Sequence, residues 1–212
     1  MAPATPRALT PRKRPRQARA TATVDAIFEA TIQVLLSAGP HRLTTTRVAE
    51  RAGVSVGTMY QYFPHKQALI YALNERYLEV LAGKIETTCR ASHGAPVGRM
   101  AEALIDTYWR AKTERADVTR ALYRSVVELD NEALIETFAR RVDAATVAML
   151  RTAPDARFEN VEHVNLTLVT VIFGTVRNAF ERQLSEDEAA ALRAQLTSMC
   201  QAYLKAQITG ET

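Results

Sequence analysis

The fourteen residues GVSVGTMYQYFPHK, Gly53 to Lys66, hold two glycines, two tyrosines, an aromatic–proline step and a lysine between segments of helical pattern. A plain connector would not need the tyrosines. A plain core segment would need neither the lysine nor the second glycine. Just upstream, LTTTRVAERAG places Thr44 to cap a second helix, Val48, Ala49 and Ala52 to form its short buried face, and Gly53 to end it. Ser55 caps a third helix, about Ser55 to Tyr62, too short to be stable alone. Val54, Met59 and Phe63 must therefore anchor it. Pro64 suits the first turn of a fourth helix, which runs to about Arg90, because its missing N–H would have no intrahelical partner there.

The first helix, about Ala22 to Ala38, carries Val24, Ile27, Phe28 and Leu35 at helical spacing, with Thr31 on the same face. Gly39, tolerant of the left-handed cap, and Pro40 stop it. Three helices with a tight glycine turn before the last describe a helix-turn-helix. In that motif the later helix enters the major groove and its N-terminal residues meet base edges. Val56, Gly57, Thr58, Tyr60, Gln61 and Tyr62 are then left for outward faces. Gly57 costs about 1 kcal/mol of helix stability relative to alanine, a cost explained by close approach of another surface. Thr58 and Tyr62 offer hydroxyls to phosphate oxygens. Tyr60 can reach a phosphate or lay its ring on a thymine methyl, and Gln61 suits an adenine edge. Lys66, beside helix-terminal N–H groups, and Thr45, in the first turn of the second helix, suit phosphates.

Charge points the same way. The 212 residues carry a net charge of +4, but residues 1–70 hold ten Lys/Arg against three acids, +7, and the rest is −3. Such asymmetry suits a polyanion at one end. Residues 1–20, rich in Pro, Ala, Thr and Arg, read as a disordered basic arm, with Arg12, Lys13, Arg14, Arg16 and Arg19 free to seek phosphate. That arm has no apolar stretch, so it is not a secretory signal. No apolar run approaches the ~18–20 residues of a membrane span, and a cytoplasmic protein with no membrane partner is expected. Cys89 and Cys200 form no CxxC pair and read as free thiols.

After a loop at Ala91–Gly98, helical patterns cover about 97–114, 117–128, 130–152, 159–183 and 186–207. The last opens with a capping box, Ser185 and Glu188, and bears the stripe Leu192, Leu196, Met199, Tyr203, flanked by Ala189, Cys200 and Leu204. VNLTLVTVIFGTV, from Val164, is apolar nearly all round, which implies burial all round, with core on one side and a second subunit on the other. The middle helices supply Tyr108, Trp109, Tyr123, Phe138 and Phe173 as candidate ligand walls, with Asp106, Asn165 and Thr170 as polar groups that could orient a ligand. No Gly-rich phosphate loop follows a strand and no nucleophile elbow is present. Glu159, Glu162 and His163 lack the Glu-x-x-His spacing and the partners of a bundle metal site. No catalytic residue, metal or cofactor is expected, which leaves a helical-bundle enzyme as a distant alternative.

LTTTRVAERAGVSVGTMYQYFPHKQALIYAL, Leu43 to Leu73, resembles the signature of the TetR family of transcriptional regulators, and the resemblance extends from Ala22. It implies an all-α chain of about nine helices: a three-helix DNA-binding domain over 21–66, then a ligand-binding and dimerisation domain over 67–212. Family DNA contacts would fall on Thr45, Ser55, Val56, Gly57, Thr58, Tyr60, Gln61, Tyr62 and Lys66. Val48 stands where the family usually has isoleucine, and Val56 and Gln61 stand where members vary. The resemblance implies a homodimer on a double-stranded palindromic operator, released by a small-molecule effector. The last two helices are the expected dimer contact. An activator, or a DNA-binding regulator without a ligand, is the alternative.

Overall fold

This computed structural model describes residues 18–125, 129–182 and 184–209, with side chains from Ala20 onward. Among them are nine α-helices, one 3-10 turn and no strand: α1 (Ala18–Ala38), the turn Pro40–Arg42, α2 (Thr45–Ala52), α3 (Val56–Tyr62), α4 (Lys66–Ala91), α5 (Val97–Thr113), α6 (Ala116–Ser125), α7 (Glu132–Leu150), α8 (Val161–Glu181) and α9 (Glu186–Ala206). Up to residue 17 the basic arm lies outside the described residues. The first helix begins at Ala18, four residues ahead of the expected Ala22.

The chain divides into two compact units, residues 1–78 with 117–136, and residues 79–116 with 137–212. In the first, α1 packs on α2 and α2 on α3. Ile27, Val48, Ala49 and Met59 are wholly buried there, with Leu43 and Phe63 close behind, and the Phe28 and Phe63 rings lie 5.7 Å apart. Thr31, also wholly buried, satisfies its hydroxyl by donating to the Ile27 carbonyl at 2.7 Å. Val118 and Leu122 of α6 join this core. Residues 117–136 therefore belong to the first unit, whereas the sequence groups them with everything after Lys66. Residues Ala20–Ala38 pass a length-and-composition test for a membrane-crossing helix, at mean hydropathy 1.2. Val24, Ile27, Phe28 and Leu35 of this helix are buried in the first unit's core.

In the second unit α5 packs against α8 and α9, which pack on each other. Leu196, Cys200 and Leu204 make the inward stripe of α9. The expected capping box is present: the Ser185 hydroxyl accepts from the Glu188 N–H at 3.3 Å, and the Glu188 carboxylate accepts from the Ser185 N–H at 2.9 Å. The Asp155 carboxylate accepts from the Val97 N–H at 2.9 Å and so caps α5 from the loop before α8.

Two local expectations change, at Pro64 and at Gly39. Pro64 lies in a bend ahead of α4, which starts at Lys66. His65 caps it instead, its Nδ1 accepting from the Ala68 N–H at 3.2 Å. Gly39, at φ 77 and ψ 169, is not a left-handed cap but an extended glycine conformation feeding the 3-10 turn. On α8, Val164, Leu168, Ile172 and Val176 are buried, but Leu166 is 60% exposed, with Thr170 and Gly174 exposed beside it. On α9, Met199 is 51% exposed.

Met59→Ala is expected to cost about 2–5 kcal/mol, read as a lowered urea midpoint. A loss well under 1 kcal/mol would contradict its anchoring role.

Candidate nucleic-acid interface

Helix α2 is fixed at both ends. The Thr44 hydroxyl accepts from the Arg47 N–H at 3.2 Å. Gly53, at φ 67 and ψ 28, donates to the carbonyls of Ala49 and Glu50. A side chain at Gly53 would meet no atom within 4 Å, so the left-handed backbone, not space, calls for glycine. The Val54 N–H donates to the Ala49 carbonyl at 3.0 Å and closes the turn. The Ser55 hydroxyl then caps α3, accepting from the Thr58 N–H at 3.0 Å, with the Thr58 hydroxyl 2.8 Å away.

Helix α3 has only seven residues, and they divide sharply. Met59 and the following Phe63 face inward. Ser55, Val56, Gly57, Tyr60 and Gln61 are exposed, and Thr58 is half-buried. Tyr62, read from sequence as outward, is instead buried at 7%, its ring 6.4 Å from that of Phe63. Three residues after Met59 it shares the inner face, where burying an aromatic ring is favourable. Thr45, expected at a phosphate, is also buried, and its hydroxyl donates to the Tyr60 hydroxyl at 3.4 Å, which ties α2 to α3. Lys66 is half-buried at the first position of α4.

A Cβ at position 57 would meet only the Ser55 hydroxyl oxygen, at 3.7 Å, ordinary contact. Packing within the chain therefore does not require glycine there. Arg42, on the 3-10 turn, and Arg47 and Arg51, on α2, are exposed. The Arg47 guanidinium donates to the Arg42 carbonyl at 3.0 Å, and Arg51 donates to Gln33 Oε1 at 2.7 Å. The outer face of α3 thus mixes polar and apolar groups, while α2, which packs on it, and the 3-10 turn carry exposed guanidinium groups. Duplex DNA offers the matching features: phosphates for the cations and groove edges for the helix. Sequence reasoning named none of these three arginines individually. Their charge was visible in the basic segment, but no spacing rule marked them.

Of the five candidate ligand-wall aromatics, three come together in the second unit. The Tyr108 and Phe173 rings stack at 4.1 Å, and Phe138 lies 5.8 Å from Phe173. Trp109 is half-buried on α5, and Tyr123 sits half-buried on α6 in the first unit. Sequence reasoning passed over Lys112. It is 2% exposed, with its Nζ 5.1 Å from the Tyr108 ring centre. Burial, aided by the Arg177 positive charge, lowers its ammonium from 10.5 to about 7. Asp106 is held by Arg193 at 3.1 Å. The buried Asn165 donates to Asp143 at 2.8 Å, and its own carbonyl oxygen has no hydrogen-bond partner. Thr170 is exposed. An open groove of about 770 Å³ in the same unit is lined by other residues, Lys84, Thr87, Thr88, Thr107 and Arg110 among them. Among the described residues no three His, Cys, Asp or Glu side chains gather as a metal site.

A family model for "Bacterial regulatory proteins, tetR family" matches residues 27–73, and one for "Tetracyclin repressor-like, C-terminal domain" matches residues 96–204. The chain is 30% identical over 105 residues to the nucleoid occlusion factor SlmA of Actinobacillus pleuropneumoniae, covering 50% of this chain and 51% of that protein. It is 32% identical over 107 residues to the HTH-type transcriptional repressor KstR of Mycolicibacterium smegmatis, covering 50% and 52%. It thus spans about half the length of these curated relatives. With the tetracycline repressor protein class C of Escherichia coli the identity is 30% over 169 residues, 78% of this chain and 68% of that one. Among solved structures, a TetR transcription regulator from Haloarcula marismortui matches with a TM-score of 0.67 at 22% identity, covering 89% of this chain and 100% of the other. With the helix-turn-helix and the helices that follow it each matched by a model of one family, the chain belongs to the TetR family of bacterial regulatory proteins.

Proposed function

We propose that the protein is a cytoplasmic, ligand-responsive transcriptional regulator: a repressor that leaves a near-palindromic operator when a small molecule binds. The observation that carries this is the outward face of α3. It is built from Ser55, Val56, Gly57, Tyr60 and Gln61, and its glycine answers no packing need inside the chain. In this reading α3 lies in the major groove, while Lys66, Thr58 and the exposed arginines of α2 engage phosphates. Thr45 acts through its hydrogen bond to Tyr60, and Tyr62 braces the helix from within. DNA binding is assigned to residues 21–66. Effector binding and pairing are assigned to the helices after them, with 117–136 packed on the DNA-binding side. The kinship with proteins named as repressors, KstR and the class C tetracycline repressor, supports the sign of control. The assigned role contains no catalytic step.

Two copies pair through α8 and α9, whose exposed Leu166 and Met199 offer an apolar surface. The pair sets two α3 helices roughly 34–36 Å apart, one turn of DNA. The effector is assigned to the Tyr108, Phe138 and Phe173 cluster, with Trp109 beside it. Tyr123, on α6 of the first unit, is not assigned to this cluster. Effector and operator favour different arrangements of α4, which carries Lys66 at its first position, so each weakens the other's binding by the same factor. A second reading, a DNA-binding protein that answers no ligand, is favoured by the similarity to a nucleoid occlusion factor. Sequencing the genomic fragments that the purified protein retains separates them: a regulator selects discrete sites beside genes, a nucleoid protein many dispersed ones. Retention of no duplex at low salt would overturn both.

Lys66→Glu is expected to weaken binding evenly across sequences and to lower the log–log salt slope by about 1 per subunit. An unchanged slope in filter binding would remove Lys66 from the phosphate contacts. Gly57→Ala should raise fold stability by up to about 1 kcal/mol yet weaken operator binding. If stability and affinity rise together, position 57 does not face DNA. Leu166→Arg should turn a micromolar dimer into a monomer in analytical ultracentrifugation, and an undisturbed dimer would place the pairing surface elsewhere.

A further inference from the structure

We propose that Val56 is a specificity-determining residue that reads the 5-methyl group of a thymine in each operator half-site. The inference rests on the DNA-binding reading above and names what one position of α3 recognises. Val56 is 40% exposed and Tyr60 43% exposed, four residues apart on one face of a seven-residue helix. The two side chains lie one turn apart and together give the outer face of this helix a small apolar surface.

Val56 is the first residue of α3, where a helix entering the groove end-on meets base edges. Its side chain has neither donor nor acceptor. The purine edges and cytosine present hydrogen-bonding groups in the major groove, which an apolar contact would strip of water without compensation. Thymine alone presents a methyl group there. Two neighbours make the contact feasible. Gly57 carries no side chain, and even a Cβ would meet only Ser55, so the groove edge can come close. The Thr45 hydroxyl donates to the Tyr60 hydroxyl at 3.4 Å, which restrains the Tyr60 ring as a second apolar wall one turn from Val56. Gln61, also exposed, is polar and reads a different position.

The test uses the full chain and a duplex recovered from its own genomic selection. Each thymine is replaced in turn by deoxyuridine, which removes only the methyl group. One replacement per half-site should weaken binding about 4-fold, the scale of one buried methyl. Val56→Ala, at an exposed position where alanine favours helix, should bind thymine and uracil duplexes equally at that site. Full tolerance of uracil at every position, with tight binding retained, would overturn the inference while leaving the DNA-binding reading intact. Uracil sensitivity that persists undiminished in Val56→Ala would also overturn it, by assigning the methyl to another side chain. Absence of any retained duplex would remove both readings at once.

Discussion

Everything outward on α3 depends on what Met59 and Phe63 do inward. Seven residues form barely two turns, and a helix of that length has almost no stability of its own. Its position is set by burying Met59 completely, by the 5.7 Å approach of Phe63 to Phe28 of α1, and by the left-handed glycine turn that aims the chain out of α2. The hydroxyl contact between Thr45 and Tyr60 adds a polar tie across the same pair of helices. Because the inner face is filled by large side chains in a close-packed core, small rotations of α3 are costly. The outer face is therefore presented in one orientation, which selective contact with a groove edge requires.

The parts legible in the sequence were those where one residue type answers one backbone need. Gly53 announces a left-handed turn, Ser55 and Ser185 announce helix starts, and Met59 and Phe63 fall at core spacing. What stayed illegible depended on partners distant in the chain. Tyr62 carries a hydroxyl that suits water or a phosphate, and only the packed arrangement shows its ring enclosed beside Phe63. Pro64 and His65 compete for the same helix start. The proline rule favours the first, whereas the observed cap comes from an imidazole nitrogen that no cap preference highlights. Residues 117–136 pattern as helix like their neighbours, and nothing local says that Val118 and Leu122 pack with α1 through α4. The aromatic cluster was half legible for the same reason: Tyr108, Phe138 and Phe173 meet only through the folding of α5, α7 and α8.

The second unit shows a different balance. Its exposed ion pairs, such as Lys84 with Glu114 at 2.6 Å, contribute little each, because water screens them and long side chains lose freedom in forming them. Lys112 is the opposite case. An ammonium almost wholly buried against Tyr108 is disfavoured, which is why its proton is held only to about pH 7. With Asn165 keeping an unsatisfied buried oxygen, the interior of this unit retains two polar groups that a purely structural bundle would replace with leucine. Such groups lower stability and raise selectivity for whatever polar contacts reach them, a combination that fits an effector-binding role better than a simple scaffold.

A single α3 has little margin for selecting a site by itself. Its outward set is five residues, and one good base-edge contact discriminates by about 1–3 kcal/mol. Two such contacts supply about 2–6 kcal/mol and three about 3–9, against the ~4–10 kcal/mol that separates specific from non-specific binding. The basic N-terminal third, at +7 over residues 1–70, adds affinity but no sequence information, because phosphates are alike along the duplex. Raising charge further would tighten binding everywhere equally. Doubling the contacts through a second copy, as proposed above, would let a two-fold pair read each half-site with the same residues. The apolar groups exposed on α8 and α9 suit the pairing proposed above, which would offset the modest size of α3.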